Sequence, residues 1–379
     1  MPSQANGRGP VKARANWKKQ IPRKLILVAI FGGILIFPAS VSALQADRFT
    51  LAVIYAVIGL SVNVLMGYAG QISLGHQAFV GVGAFSAAYL TSSSGLPLYL
   101  SVPLAGLIGG AIAALLGLVA LRLAGLYLAL ITLAYGALAE RSIFGIQALT
   151  GGGAGRSALR PVPFTSDKTY AYLCLAVLAF LLFIDWRMLR SKFGRALLAL
   201  KSNEQVAASF GMNPVFYKVG AFVMTGIIAG IGGGLYAFKE QHVVSADFTF
   251  TLALTFVIMT VIGGLGDRTG VVIGSAFTAY LPFLLGSLSE TRLIEWLPGK
   301  LSEKIVVGRI AITAVLLMLT LTRFPGGIAE QLHPVTQWLS GKPFPHHDKK
   351  PKKNKGSKKD DSDARQVAAS KSRTESKVG

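Results

Sequence analysis

Residues Phe49 to Leu90, FTLAVIYAVIGLSVNVLMGYAGQISLGHQAFVGVGAFSAAYL, are two apolar runs joined by a polar, glycine-rich break. The eighteen residues from Phe49 to Met66 carry no charge, enough for a helix to cross roughly 30 Å of hydrocarbon. Gly67 to His76 then interrupts the hydrophobicity, with glycines at Gly67, Gly70 and Gly75, before it resumes. Lipid offers no hydrogen bonds, so non-helical backbone survives at membrane depth only against protein or a water-filled cavity. The break therefore points to a transport pathway through a helical bundle.

Composition places the whole chain in a membrane. Of its 379 residues 52% are hydrophobic and 15% charged, against about 25% charged in ordinary soluble domains. The net charge of +21 sits mostly in the tails: residues 1–24 hold seven basic and no acidic residues, and residues 341–379 hold twelve basic and five acidic. Basic tails beside membrane spans are what cytoplasmic ends carry, so the charge argues for orientation and not for nucleic acid, for which no folded basic surface is visible. Cys174 is the lone cysteine, which excludes an intramolecular disulfide framework or a cysteine metal cluster.

Three regions follow: a basic cytoplasmic segment, 1–24; a polytopic all-α membrane domain, 25–328; and a lysine-rich, low-complexity tail, 329–379. Such a tail reads as solvated disorder, or alternatively as a segment drawn to anionic membrane lipid. Ten crossings are expected: Leu25–Ala43, Phe49–Met66, Gly70–Leu90, Leu98–Leu121, Ala124–Ala139, Tyr170–Ile184, Val219–Phe238, Phe248–Ile262, Gly270–Leu288 and Ile305–Thr322. The first also has the outline of a secretory signal; an uncleaved span is the expectation here. With the amino terminus inside, alternate loops place Arg122, the segment 187–218, Asp267-Arg268 and the tail on the cytoplasmic side, and both termini there. The segment 187–218 holds six basic residues against Glu204 alone, in accord with the positive-inside rule. The loop Glu140–Thr169 is the exception, falling outside yet carrying Arg141, Arg156, Arg160 and Lys168.

Two further features bear on function. A second glycine break, Gly263-Gly264-Leu265-Gly266, again separates an apolar run from a resumed span; interrupted segments at matching places in two halves point to a transporter's internal repeat. The segment Ser191–Lys218 is polar and helical in pattern: Asn203 suits an N-cap, Glu204–Phe210 a short helix, Gly211 its stop, and Asn213-Pro214 a turn into the next span. A short cytoplasmic helix of this kind suits docking into a groove on a partner, or is an ordinary positive-inside loop.

The motif Gly67-Tyr-Ala-Gly-Gln-Ile-Ser-Leu-Gly-His-Gln-Ala-Phe79 resembles the signature of the branched-chain amino acid ABC transporter permeases of the LivM type. So, in the same order, do Leu126–Ala134, Thr150–Gly155, Phe193–Gly211, Ile262–Gly266 and Arg323–Gly327. The resemblance runs from about Leu25 to Ile328. It implies a bacterial inner-membrane permease subunit that pairs with a second, related permease, two ABC ATPase subunits and an extracytoplasmic substrate-binding protein. Branched-chain or other neutral amino acids are its implied cargo, with urea or short-chain amides as the rival. The loop Gly151–Arg160 departs from the pattern in lacking an acid or amide among its glycines, and the tail lies outside the family's common core.

The residues themselves fit a passive subunit. No G-x-x-x-x-G-K-[ST] occurs, so no nucleotide is cradled here. ATP and magnesium are expected in the partner ATPases, and this chain is expected to hold no cofactor or metal and to be no enzyme. The predicted span interiors hold no proton-relay set of Asp, Glu and His, which disfavours a stand-alone proton-coupled secondary transporter. Gln71, Ser73 and His76 are candidates for the substrate pathway, or else satisfy the interrupted backbone; Tyr127 and Thr132 line the path or pack the bundle. Gly67, Gly70, Gly75, Gly263, Gly264 and Gly266 permit the broken helices. Asn203, Glu204, Ala207, Ala208 and Gly211 are the expected ATPase coupling contacts.

Overall fold

The computed structural model describes residues 32–120 and 125–289. The basic segment 1–24, the start of the first span, Arg122, the span 305–322 with Arg309, the motif Arg323–Gly327 and the tail lie outside the described residues. The fold is all-α. Helix α1 covers residues 32–40, and α2 runs Ala43–Val62, capped by the Ser42 hydroxyl accepting from the Gln45 amide. Its end widens into a π-turn, Asn63–Tyr68. Then come α3 (His76–Ser92), α4 (Leu98–Ala120), α5 (Leu126–Arg141), the single turn α6 (Gln147–Thr150), α7 (Asp167–Arg190), α8 (Lys192–Ser202), α9 (Glu204–Ser209), α10 (Pro214–Glu240), α11 (Phe250–Gly263) and α12 (Arg268–Ser289). Arg156–Ser157 and His242–Val243 pair antiparallel as β1 and β2.

Among the described residues five helical stretches are long and apolar enough to cross a membrane, against the ten crossings expected over the whole chain: Ala43–Tyr68, Leu98–Val119, Leu126–Gly145, Asp167–Arg190 and Pro214–Glu240. The expected span from Gly70 starts as a helix only at His76, because 69–75 is non-helical, and Phe250–Gly263 is a shorter apolar helix. Helix α7 overruns its expected end at Ile184 by six residues, so Asp185 lies within a helix.

The centre is the packing of α10 along α4, α3 and α2. Lipid tails are as apolar as leucine, so association in a membrane relies on close backbone approach at small residues. Gly109 and Gly226 face each other so tightly that a Cβ on either would strike the other's carbonyl oxygen, and Gly83 of α3 lies against the Gly230 backbone.

One end of the bundle gathers the π-turn, Asp185, α8, α9 and the second glycine break; the other gathers Ser92–Pro97, Arg141–Asp167 and Glu240–Thr249. Three of the four cations of the exceptional loop are used at this second end. Arg160 pairs with Asp167 at 2.6 Å and donates to the Phe238 and Lys239 carbonyls at 2.7 and 2.8 Å, answering the negative end of the α10 dipole. Arg156 binds Ser93 Oγ at 2.6 Å and lies over the Tyr89 ring; Lys168 donates to the Ala39 carbonyl. These three charges staple helix ends together, which accounts for their departure from the charge bias of the other loops.

Candidate translocation and coupling site

The first break is built by a side chain turning back on its own helix. Asn63 Oδ1 sits where a Cβ of Gly67 would stand, and it accepts from the Gly266 amide at 2.8 Å. A larger residue at Gly67 would expel the amide, so the glycine permits a side chain of the first break to hold the backbone of the second. Gly263 is needed for a similar reason, since a Cβ there would strike the Gly270 carbonyl oxygen; Gly264 caps α11. Asp267 then caps α12 by accepting from the Thr269 amide at 2.9 Å. The two glycine breaks singled out in the sequence thus meet, which periodicity alone does not reveal.

Beyond Tyr68 the chain reverses. Gly70 takes φ +68° with the Lys201 stem against it, and Gln71 donates its amide N–H to the Leu65 carbonyl at 2.9 Å while its side chain turns to the Ala69 carbonyl. The non-helical residues 71–75 then lead back into the bundle. The Leu74 amide donates to Thr132 Oγ1 at 3.0 Å, and Gly75 lies so close to α5 that a Cβ would meet the Thr132 carbonyl oxygen. Helix α3 starts at His76, whose Nε2 is 2.6 Å from Ser61 Oγ. The Ser61 hydroxyl donates its one proton to the Ile58 carbonyl at 2.6 Å, so Nε2 carries the hydrogen of that bond and Nδ1 is left an acceptor. Ser61 lies seven residues before Tyr68, about 10 Å along the helix, so α3 begins inside the bundle and not at its end.

Of the five expected pathway residues, Ser73, His76 and Thr132 come together here, all fully buried. Gln71 sits at the mouth of the break. Tyr127 is 70% exposed on the outer face of α5, apart from this cluster. Sequence reading missed Ser61, Gln77 and Tyr135. Gln77 lies within the recognised motif, and both its amide atoms are buried without a hydrogen-bond partner among the described residues, as are Ser73 Oγ, His76 Nδ1 and Tyr135 OH. Each such group costs about 1–3 kcal/mol when left unpaired, so their concentration at one place marks it.

A second polar network lies at the Tyr68 end. The Tyr68 hydroxyl donates to Asp185 Oδ2 at 3.1 Å, and the same oxygen is 3.4 Å from Arg268 Nε. Asp185 is 1% exposed, an acid inside a helix that was placed at a loop edge in the sequence. With its ion pair it links α7 to the first break and to α12.

The expected coupling segment is two helices. Ser191 caps α8, accepting from the Gly194 amide; Asn203 caps α9, accepting from the Val206 amide at 3.1 Å; and Asn213 accepts from the Val215 amide ahead of Pro214. Gly211 takes φ +81°, the left-handed turn that ends α9. Lys201, in the last turn of α8, donates to the Gly67 carbonyl at 2.6 Å, tying this segment to the break. The Glu204 carboxylate is met at 2.7 and 2.8 Å by Lys218 of the same chain, and Ala207 is buried while Ala208 is exposed. The outward face is aromatic as well as small: Phe210 is 79% and Phe216 65% exposed, beside Val206 and Val215.

The family model described as branched-chain amino acid transport system, permease component, matches residues 46–321. The chain is 31% identical over 317 residues to the high-affinity branched-chain amino acid transport system permease protein LivM of Salmonella typhimurium, covering 73% of this chain and 74% of that protein, and equally so to LivM of Escherichia coli. It is 26% identical over 161 residues to the probable branched-chain amino acid transport permease protein LivH of Methanocaldococcus jannaschii, covering 42% of this chain and 46% of that protein. No solved structure matches the chain.

Proposed function

The chain belongs to the branched-chain amino acid transport permease family, and we propose that it forms one half of the membrane channel of an ATP-driven importer for branched-chain or other neutral amino acids. It is a multi-pass membrane permease and not itself an enzyme. Its other half is a second permease of the same family; two ATPase subunits bind ATP and magnesium, and an extracytoplasmic binding protein delivers the amino acid. The positive charge of the segment 187–218 supports a cytoplasmic position for that end of the bundle, and the proposal puts both termini on the same side.

The bond from Lys201 to the Gly67 carbonyl carries this reading. It joins a partner-facing helix pair to the broken helix without any intervening element. In the mechanism, ATP draws the ATPases together, α9 and its exposed Phe210 move with them, and α8 carries the displacement through Lys201 into the first break. Asn63 and Arg268 pass it on to the second break. Access then alternates because the nucleotide state favours one of two packings, the chain supplying differential stability and no chemistry. The test is uptake of radiolabelled leucine into proteoliposomes. Uptake should require the sister permease, both ATPases, the binding protein and ATP. Full-rate uptake by this chain alone without ATP would show a secondary transporter instead.

A further inference from the structure

We infer that the N-terminus of α3 is a carboxylate station in the membrane: the α-carboxylate of the amino acid pauses there, held by first-turn backbone amides together with Gln77, Ser73 and Tyr135. The inference rests on the permease reading above. Its starting point is a helix of seventeen residues whose N-cap is Gly75, which has no side chain to accept from the first-turn amides. Among the described residues the His76 and Gln77 amides donate to nothing. The N-terminal end of a helix carries a partial positive charge and free N–H donors. A broken helix that begins at depth turns that end toward anionic groups of a substrate.

The second observation is the set of buried donors beside it. Ser73 Oγ, Gln77 Nε2 and the Tyr135 hydroxyl are all buried and unpaired. Gln77 is 1% exposed, and its amide folds back on the helix start: a Cβ built on Gly136 would lie 2.5 Å from Gln77 Nε2 and 3.0 Å from Gly75 Cα. The Tyr135 ring packs against Phe79 in the first turn of α3, with ring centroids 5.5 Å apart. No Lys, Arg, Asp or Glu belongs to this group. Dipoles alone suit a carboxylate that must be held and then released, because a fixed cation in so dry a place would bind it too tightly to let go. In this structure α5 closes over the station, with the Thr132 carbonyl against Gly75, so a shift of α5 away from α3 opens it.

The experiment compares Gln77→Leu with Gln77→Glu in the complete transporter reconstituted in proteoliposomes, reading leucine uptake at saturating binding protein. Loss of one hydrogen bond to a charged group lowers uptake by Gln77→Leu roughly tenfold. Gln77→Glu, which has nearly the shape of the native residue, falls at least tenfold further because it sets one carboxylate against another. Equal losses in the two variants would mean that Gln77 binds only internal water or packing neighbours, and undiminished uptake by either would remove it from the path; both outcomes overturn the station. Ser73→Ala and Ser73→Asp repeat the comparison if the Gln77 variants do not assemble. Uptake that ignores ATP in the unaltered transporter would refute the importer reading, while the order of the two Gln77 variants would still report on the station.

Discussion

Lys201→Met cuts the link between α8 and the first break while keeping the stem that packs on Gly70. The lost contact is a charge-assisted bond of 2.6 Å from Nζ to the Gly67 carbonyl, at the C-terminal end of a helix that runs from Ala43 to Tyr68. A hydrogen bond to a charged group contributes about 1.5–3 kcal/mol, and a cation at a helix C-terminus about 0.3–1 kcal/mol. Lys201 as a whole is exposed, so solvent screening brings the net nearer to about 1 kcal/mol. That is about a fivefold change in the local opening equilibrium. The amides that report it are those of Ala69 and Gln71, which bond to the Val64 and Leu65 carbonyls at 3.2 and 2.9 Å. Hydrogen exchange of the protein in lipid nanodiscs, resolved over Gly67–Leu74, should quicken about fivefold in the variant, with α10 unchanged. Exchange within twofold of the parent would mean that the bond does not hold the break, and the proposed transmission would lose its first link.

Two other perturbations probe the same end. Asp185→Asn keeps an acceptor for Tyr68 but removes the charge facing Arg268; since Arg268 is a quarter exposed, the loss should be about 1–2 kcal/mol. A cycle with Arg268→Gln, read by thermal unfolding in detergent, should return a coupling above about 0.5 kcal/mol; additive losses would mean that the pair is not coupled. On the docking face, Glu204→Lys with Gly211→Trp should abolish ATPase co-purification while membrane insertion persists, and Phe210→Glu alone should lower it several-fold. Undiminished recovery of the ATPase with either variant would place the contact elsewhere.

The helices and the breaks were legible in the sequence because each rests on a local property. An uncharged run long enough to span lipid reads as a helix wherever it packs, and the Asn203 cap and Gly211 stop are settled within a few residues. Less legible was what depends on partners far along the chain. Asp185 fell just past the expected span end at Ile184 because a single acid ends an apolar run in the hydropathy profile; α7 continues past it to Arg190, with the carboxylate paired to Tyr68 and Arg268. Gln77 read as one more residue of a motif, since whether an amide has a partner depends on α5. Glu204 was expected as a coupling contact, and its pairing with Lys218, fourteen residues on, was not visible in the sequence.

The meeting of the two breaks gives the bundle a particular way to move. Tyr68 and Gly67 end one broken segment, and Gly266 and Arg268 begin the other; both are held through side chains, Asn63 on one contact and Asp185 on the other. Side-chain bonds between helix ends can exchange partners without unwinding a helix, whereas the glycine seam of α3, α4 and α10 can move only as a block because its backbones are in contact. A pull on α8 should therefore be taken up at the breaks and not within the seam. Replacing Gly83 by leucine, which wedges α3 from the Gly230 backbone, should then cost about 1–3 kcal/mol of overall stability and leave exchange at Ala69 and Gln71 unaltered. Faster exchange there in that variant would show that seam and breaks are one mechanical unit and that Lys201 has no separate lever to work.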